Sequence, residues 1–185
     1  MNSFSPTEDT IAAIATAVSP GQGSIAVIRI SGCSAIETSK NIVQIPGMHN
    51  WNTHKILYGH ITEANNQKYI DEVLILIMKG PRSFTGEDVV EIHCHGGIIA
   101  VQKILERVLE SPNVRRAEPG EFSQRAVLNG RLSLTQAESI SELVSARSRK
   151  AAELAINGIE GHIQSTIQSI RKRLVEQLTE IEARI

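Results

Sequence analysis

The order of apolar and polar positions divides the chain into a mixed part and a helical part. Residues 24–30, Ser-Ile-Ala-Val-Ile-Arg-Ile, form a β-branched run between Gly21-Gln22-Gly23 and Ser31-Gly32, which predicts a strand. Ser31 or Ser34 is placed to cap a short helix carrying Ile36, Ile42 and Val43. Beyond Pro46-Gly47, apolar runs at 55–62 and 72–79 flank the polar stretch 63–68 and predict a hairpin. A further strand at 88–94 ends at Gly96-Gly97. Ile98, Val101, Ile104, Leu105, Val108 and Leu109 then have the spacing of an amphipathic helix over 98–110. A short strand around 114–117 stops at Pro119-Gly120. The order β-α-β-β-β-α-β describes an α+β domain over residues 1–118.

From residue 119 onward there is no Asp, Trp or Tyr, and the segment 119–185 reads as all-helical, the first part of a helical domain. Asn129-Gly130 closes one short helix, and Thr135 with Glu138 predicts a capping box for the next. Apolar residues recur every three or four positions from Ile140 through Leu154, Ile159, Ile163, Ile167, Ile170, Leu174, Leu178 and Ile181 to Ile185. Gly158 and Gly161 mark the expected break. The stripe runs to the last residue without a Gly, Asn or Pro stop signal. A continuing polypeptide or a second subunit is therefore expected to cover it.

Charge narrows the function. The chain has 19 basic and 20 acidic side chains, divided 10 to 12 before residue 119 and 9 to 8 after it. Neither part is the basic body that binds nucleic acid by phosphate contacts alone. Phe4, Trp51, Tyr58, Tyr69, Phe84 and Phe122 are too few for a row of base-stacking platforms. No apolar run is long enough to predict a membrane span, and the segment before Asp9 lacks the signature of a secretory signal, so a cytoplasmic protein is expected. Two cysteines, Cys33 and Cys94, make no disulfide framework and are expected to stay thiols.

Several residues could carry chemistry. Arg29 lies in the most apolar strand, where a charge must reach solvent, bridge a carboxylate or meet a ligand. Glu91, His93 and His95 share one strand face by period-two alternation. They could bind zinc or iron, or be solvated. Alternatively Glu91 could accept parallel hydrogen bonds from the N–H and exocyclic amino group of a pterin or guanine. Phe84-Thr85-Gly86-Glu87-Asp88 is a turn with an aromatic anchor and two carboxylates. Gly21-Gln22-Gly23 precedes a strand, the wrong context for a phosphate loop, and no Gly-x-x-x-x-Gly-Lys-Ser/Thr motif occurs. Arg125 and Arg131 lie near the change of character, and Arg131 could hold a ligand carboxylate bidentately. His49, His54, His60 and His162 have no partner pattern.

Together these blocks resemble a known family. They are Asp9-Thr10-Ile11-Ala12-Ala13-Ile14-Ala15-Thr16-Ala17 with Gly21-Gln22-Gly23; Ile28-Arg29-Ile30-Ser31-Gly32; Gly80-Pro81-Arg82-Ser83-Phe84-Thr85-Gly86-Glu87-Asp88; and Glu91 with His95-Gly96-Gly97. Arg116-Ala117-Glu118-Pro119-Gly120-Glu121-Phe122-Ser123, Arg125-Ala126, Asn129-Gly130 and Leu134-Thr135-Gln136-Ala137-Glu138 follow in the same order. The chain is similar to the N-terminal part of the tRNA modification GTPases of the MnmE/TrmE family.

The resemblance implies an aminomethyltransferase-like tetrahydrofolate-binding α+β domain that forms a homodimer, followed by the start of a helical domain. It implies that a one-carbon tetrahydrofolate, 5-formyl or 5,10-methylene, supplies carbon for an aminomethyl-type group on C5 of the wobble uridine of tRNA. A flavoprotein of the MnmG/GidA type is the implied partner in a heterotetramer. GTP, K+ and Mg2+ are expected only in a GTPase domain that this sequence does not contain, so the chain alone is expected to have no GTPase activity. The folate contacts carry over to Arg29, Glu91 and Arg131, with no catalytic residue and no metal ligand in this chain. Family members often have lysine where Arg131 stands, and often lack a histidine at the position of His93, which therefore receives no role. Two other readings remain: a stand-alone folate-dependent aminomethyltransferase using Asp88, and a non-catalytic dimerisation module.

Overall fold

β1 (Thr10–Ile14), β2 (Ile25–Ser31), α1 (Ala35–Ile42), β3 (Val43–Gln44), β4 (Lys55–Thr62), β5 (Tyr69–Met78), β6 (Val89–His95), α2 (Ile98–Leu109), β7 (Val114–Arg116) and α3 (Glu121–Leu128) follow one another along the first unit. The computed structural model describes residues 9–19, 21, 24–47, 49–65 and 67–183, and of residues 162–164 only the backbone. Expectations that touch residues 1–8, Gln22, Gly23, Asn66, the side chains of His162 and Ile163, or Ile185 lie outside the described residues.

The strands form one mixed sheet in the order β3-β4-β5-β6-β2-β1-β7. All neighbours are antiparallel except β7, which runs parallel to β1 with Thr10 opposite Val114. The predicted strands and both helices are present. β1 and β3 were not expected, because Thr-Ile-Ala-Ala-Ile is short and alanine-rich, and Val43-Gln44 is too short to show alternation. Their pairing is set by neighbours distant in sequence, which is where β-propensity is weakest as a guide.

One face of the sheet carries Ile28, Ile30, Val73, Ile75 and Ile92. They pack in a single core with Val101, Ile104, Leu105 and Val108 of α2 and with Ala35 and Ile42 of α1. At about 25 cal/mol per Å² of apolar area removed from water, this layer is the main stabilising contact of the unit. Among the described residues, α1 and α2 are the helices of that core layer, and the opposite face lies away from them. There Ile25, Ile56, Tyr58 and Leu74 are 45–67% exposed.

Neither predicted serine caps α1. Ser34 has φ −95° and ψ 3°, not the extended conformation a cap requires, and its backbone N–H donates to Thr10 Oγ1 at 2.9 Å. Ser31 Oγ is engaged with Thr85 and Glu87 instead, each at 2.7 Å. Gly32 between them has φ +133°, and a Cβ there would lie 2.7 Å from Thr10 Oγ1 and 2.8 Å from the Asp9 carbonyl. Only glycine lets β1 approach this turn.

The first unit runs to Arg131, not to residue 118. α3 remains with the sheet because Arg125, 3% exposed, is bonded to Asp9, Glu87 and Glu121. The change in composition at 119 marks the onset of helix rather than the edge of the compact unit. The second unit begins at Leu132 and holds α4 (Leu134–Ser145), α5 (Arg149–Ile159) and α6 (His162–Glu182). The capping box of α4 is Ser133 with Gln136, not Thr135 with Glu138. Ser133 has the extended backbone of a cap, and Thr135 already lies inside the helix. A break not expected from the sequence separates α4 from α5, where Ser148 Oγ accepts the Ala151 N–H at 3.1 Å. Gly161, at φ +82°, makes the expected break before α6. Gly158 stays helical and faces Ser139 of α4, whose Cβ would be 2.9 Å from an added methyl carbon. Along α6, Ile167, Ile170, Leu174, Leu178 and Ile181 are exposed. No helix among the described residues is long and apolar enough to cross a membrane.

Candidate functional site

Arg29 and Glu91 are cross-strand partners of β2 and β6, on the face away from α1 and α2. Side chains directly opposite on antiparallel strands stand close enough to touch. Here one carboxylate oxygen, Glu91 Oε1, accepts from both Arg29 Nε at 2.8 Å and Arg29 Nη2 at 2.7 Å. The reading of Arg29 as an arginine that bridges a carboxylate is thus met, and its carboxylate is the other candidate residue. The guanidinium also lies over two aromatic rings, 5.3 Å from the centroid of Phe84 and 5.6 Å from that of Phe122. Such contacts favour a fixed cation.

Arg131, three residues past the end of α3, reaches the same segment. Its Nε donates to the Ser83 carbonyl at 3.3 Å, next to Phe84, while Asn129 Nδ2 donates to the Thr85 carbonyl at 2.8 Å. The loop 83–85 therefore touches Arg29 at Phe84 and Arg131 at Ser83, while Glu91 is joined to it through Arg29. Oε1 of Glu91 is filled by Arg29, which leaves Oε2 as the oxygen with room for another donor. Nε2 of His93 is 3.5 Å from it.

The metal reading fails. Among the described residues no three His, Cys, Asp or Glu side chains are placed to hold an ion. His95 turns instead to Asp71, with Nδ1 2.6 Å from Oδ1, while Asp71 Oδ2 accepts the His95 backbone N–H at 2.8 Å. This hydrogen bond, followed by the Asp71 charge, holds the His95 imidazole above its ordinary range. Asp71 is only 6% exposed. The sequence carries a signal for it: Asp71 occupies the same strand phase as Val73, Ile75 and Ile77, which places its carboxylate where it must be buried and paired. Close by, burial and then the Asp71 charge push the Cys94 thiol up to about 12. A cleft of about 280 Å³ on the open face is lined by Ile25, Tyr58, Leu74, His93 and His95, among others.

Two further candidates have structural work. Asp88 Oδ1 accepts the Gly80 N–H at 2.9 Å and closes the turn ahead of β6. Arg125, expected near a ligand crevice, is buried instead. It donates to Asp9 Oδ1 at 2.8 Å, Glu121 Oε1 at 3.1 Å and Glu87 Oε1 at 3.2 Å, while its Nε has no partner. Glu121 also receives Arg115 at 2.5 and 2.8 Å. These Arg115 bonds overcome burial and, with the Glu118 N–H and Arg125, hold the Glu121 carboxyl down at about 2.

The architecture is an α+β domain followed by a helical segment, with the Arg29–Glu91 pair on one sheet face and Arg131 bonded to the adjoining loop at Ser83. Residues 10–131 match the family model described as GTP-binding protein TrmE N-terminus, and residues 134–185 match the MnmE helical domain. The chain belongs to the MnmE/TrmE family. It is 88% identical over 185 residues to the tRNA modification GTPase MnmE of Prochlorococcus marinus (strain NATL1A), all of this chain against 40% of that protein. Identity is 64% over 185 residues, again all of this chain and 40% of the relative, to the MnmE of P. marinus (strain MIT 9303). It is 66% over 180 residues, 97% of this chain and 40% of the relative, to that of Synechococcus sp. (strain CC9902). The chain thus spans about two fifths of the length of these curated relatives.

Proposed function

We propose that the sheet unit binds a one-carbon tetrahydrofolate, 5-formyl or 5,10-methylene, and that Glu91, Arg29 and Arg131 hold it. The observation that carries this reading is the Arg29–Glu91 pair. It is an ion pair on the sheet face away from α1 and α2, with the carboxylate side chain 13% exposed and the arginine lying over Phe84 and Phe122. A carboxylate so oriented suits the N–H and amino donors of a pterin edge, because hydrogen bonds to an ionised acceptor are the stronger kind. The pterin donor meets Oε2, since two parallel bonds onto both oxygens would require Arg29 to release Oε1. Arg131, which steadies the loop at Ser83, neutralises an acidic group of the ligand.

In the longer protein this unit supplies the one-carbon group for an aminomethyl-type modification at C5 of the wobble uridine of tRNA. GTP hydrolysis, with its K+ and Mg2+, belongs to another domain, and a flavoprotein of the MnmG/GidA type is the partner. The whole acts in the cytoplasm. A second copy of this chain covers the open face, so that Ile25, Ile56, Tyr58 and Leu74 are buried in a homodimer with an isologous interface. Calorimetric titration with 5-formyltetrahydrofolate tests the reading. Glu91→Ala and Arg29→Ala should each lower the affinity at least tenfold, the loss expected when a hydrogen bond to a charged group is removed. Titrations equal to wild type would overturn it.

A further inference from the structure

His93 Nε2 is buried and has no hydrogen-bond partner, an uncommon condition for an imidazole nitrogen. Glu91 Oε2, the oxygen that Arg29 does not use, lies 3.5 Å away. His93 follows Glu91 by two positions on β6 and stands on the same face, opposite Val27 of β2 and Leu74 of β5. Neither neighbour offers a polar group to that nitrogen. A carboxylate held through one oxygen can still swing, because the terminal torsion of glutamate is broad. A second anchor on Oε2 would fix its plane.

We propose that His93 is a positioning residue for Glu91: its Nε2–H donates to Oε2, fixes the carboxylate plane set by Arg29, and leaves one lone pair of Oε2 aimed at the ligand. Closing the present 3.5 Å to a normal hydrogen bond takes only a small rotation of either side chain. With Oε1 filled by Arg29 and one side of Oε2 by His93, the carboxylate accepts one ligand donor rather than two. This contact stands without any ligand. Its effect on affinity rests on the folate reading above.

Two measurements separate them. In 15N-histidine spectra of the 185-residue chain, with the His93 signals assigned by their loss in His93→Gln, Nε2 should carry the proton in wild type. Glu91→Gln should shift the tautomer populations. An unprotonated Nε2, or spectra indifferent to Glu91→Gln, would overturn the proposal whether or not folate binds. Titration with 5-formyltetrahydrofolate gives the second readout. His93→Leu should weaken binding about tenfold, as for loss of one hydrogen bond to a charged group, and His93→Gln, which keeps an N–H at the place of Nε2, should restore it to within about threefold. Equal losses in both variants, or a further loss from His93→Leu in a Glu91→Gln background, would also overturn it. Wild-type chain that fails to bind the ligand while the spectra behave as expected would count against the folate reading alone.

Discussion

Replacing Arg125 by methionine tests the idea that α3 is fastened to the sheet by charge. The guanidinium is 3% exposed and holds Asp9, Glu87 and Glu121. After Arg125→Met, Asp9 and Glu121 still have Arg115. Glu87, 11% exposed, then keeps the Ser31 hydroxyl on its carboxylate and, among the described residues, no cation. Breaking a buried pair by removing one partner costs about 3–5 kcal/mol, because the remaining charge is left uncompensated. With a urea dependence of about 2 kcal/mol per M, the midpoint should fall by about 1.5–2.5 M. Trp51 is the sole tryptophan and packs against the core of the sheet unit, so its fluorescence follows that unit alone. Adding Glu87→Gln to Arg125→Met removes the stranded charge and should recover a good part of the loss, a coupling that a double-mutant cycle reads directly. A midpoint shift below about 0.5 M, or no recovery in the double variant, would mean that the cluster is solvated and that α3 is held by other contacts.

Three further outcomes follow from particular groups. Glu121 has its carboxyl at about 2 when folded, against an ordinary 4.5, chiefly because of Arg115. Its stabilisation is therefore complete above the ordinary range and is lost as pH falls toward 2, so Arg115→Gln should flatten the acid limb of urea midpoints measured between pH 7 and pH 3. Cys33 is exposed, whereas Cys94 is buried with its thiol pushed up to about 12. A thiol reagent at pH 8 should titrate one fast group per native chain and the second only on unfolding, and two fast groups would contradict the burial of β6. Gly158→Ala drives a methyl group into Ser139 and should destabilise the helical unit by about 1–3 kcal/mol, seen as a lower thermal midpoint by circular dichroism with Trp51 fluorescence unchanged.

The alternation of the long strands and the amphipathic spacing of α2 were legible because burial on one face writes a period directly into the sequence. β1 could not be read that way, since Ala12 and Ala13 give no contrast and the strand exists through β2 and β7. The break at 146–148 was hidden because its cap, Ser148, is one of four serines at 139, 141, 145 and 148, and no Gly or Pro singles it out. At the site, Arg29 and Glu91 were visible as charges in apolar strands. That they are each other's partners depends on register, which a single sequence does not carry. Arg125 looked like a ligand residue for the same reason Arg131 did. Only the long-range approach of Asp9 and Glu87 distinguishes them.

The two edge strands of the sheet, β3 and β7, are its shortest, with two and three residues. Long strands such as the ten-residue β5 are enclosed between neighbours, so few backbone N–H and C=O groups are offered to a foreign strand. A chain with a broad apolar face risks uncontrolled stacking into fibrils if its edges also invite pairing. Here the edge strands offer little backbone for strand addition at either end of the sheet, so its exposed apolar residues are not coupled to a long open edge.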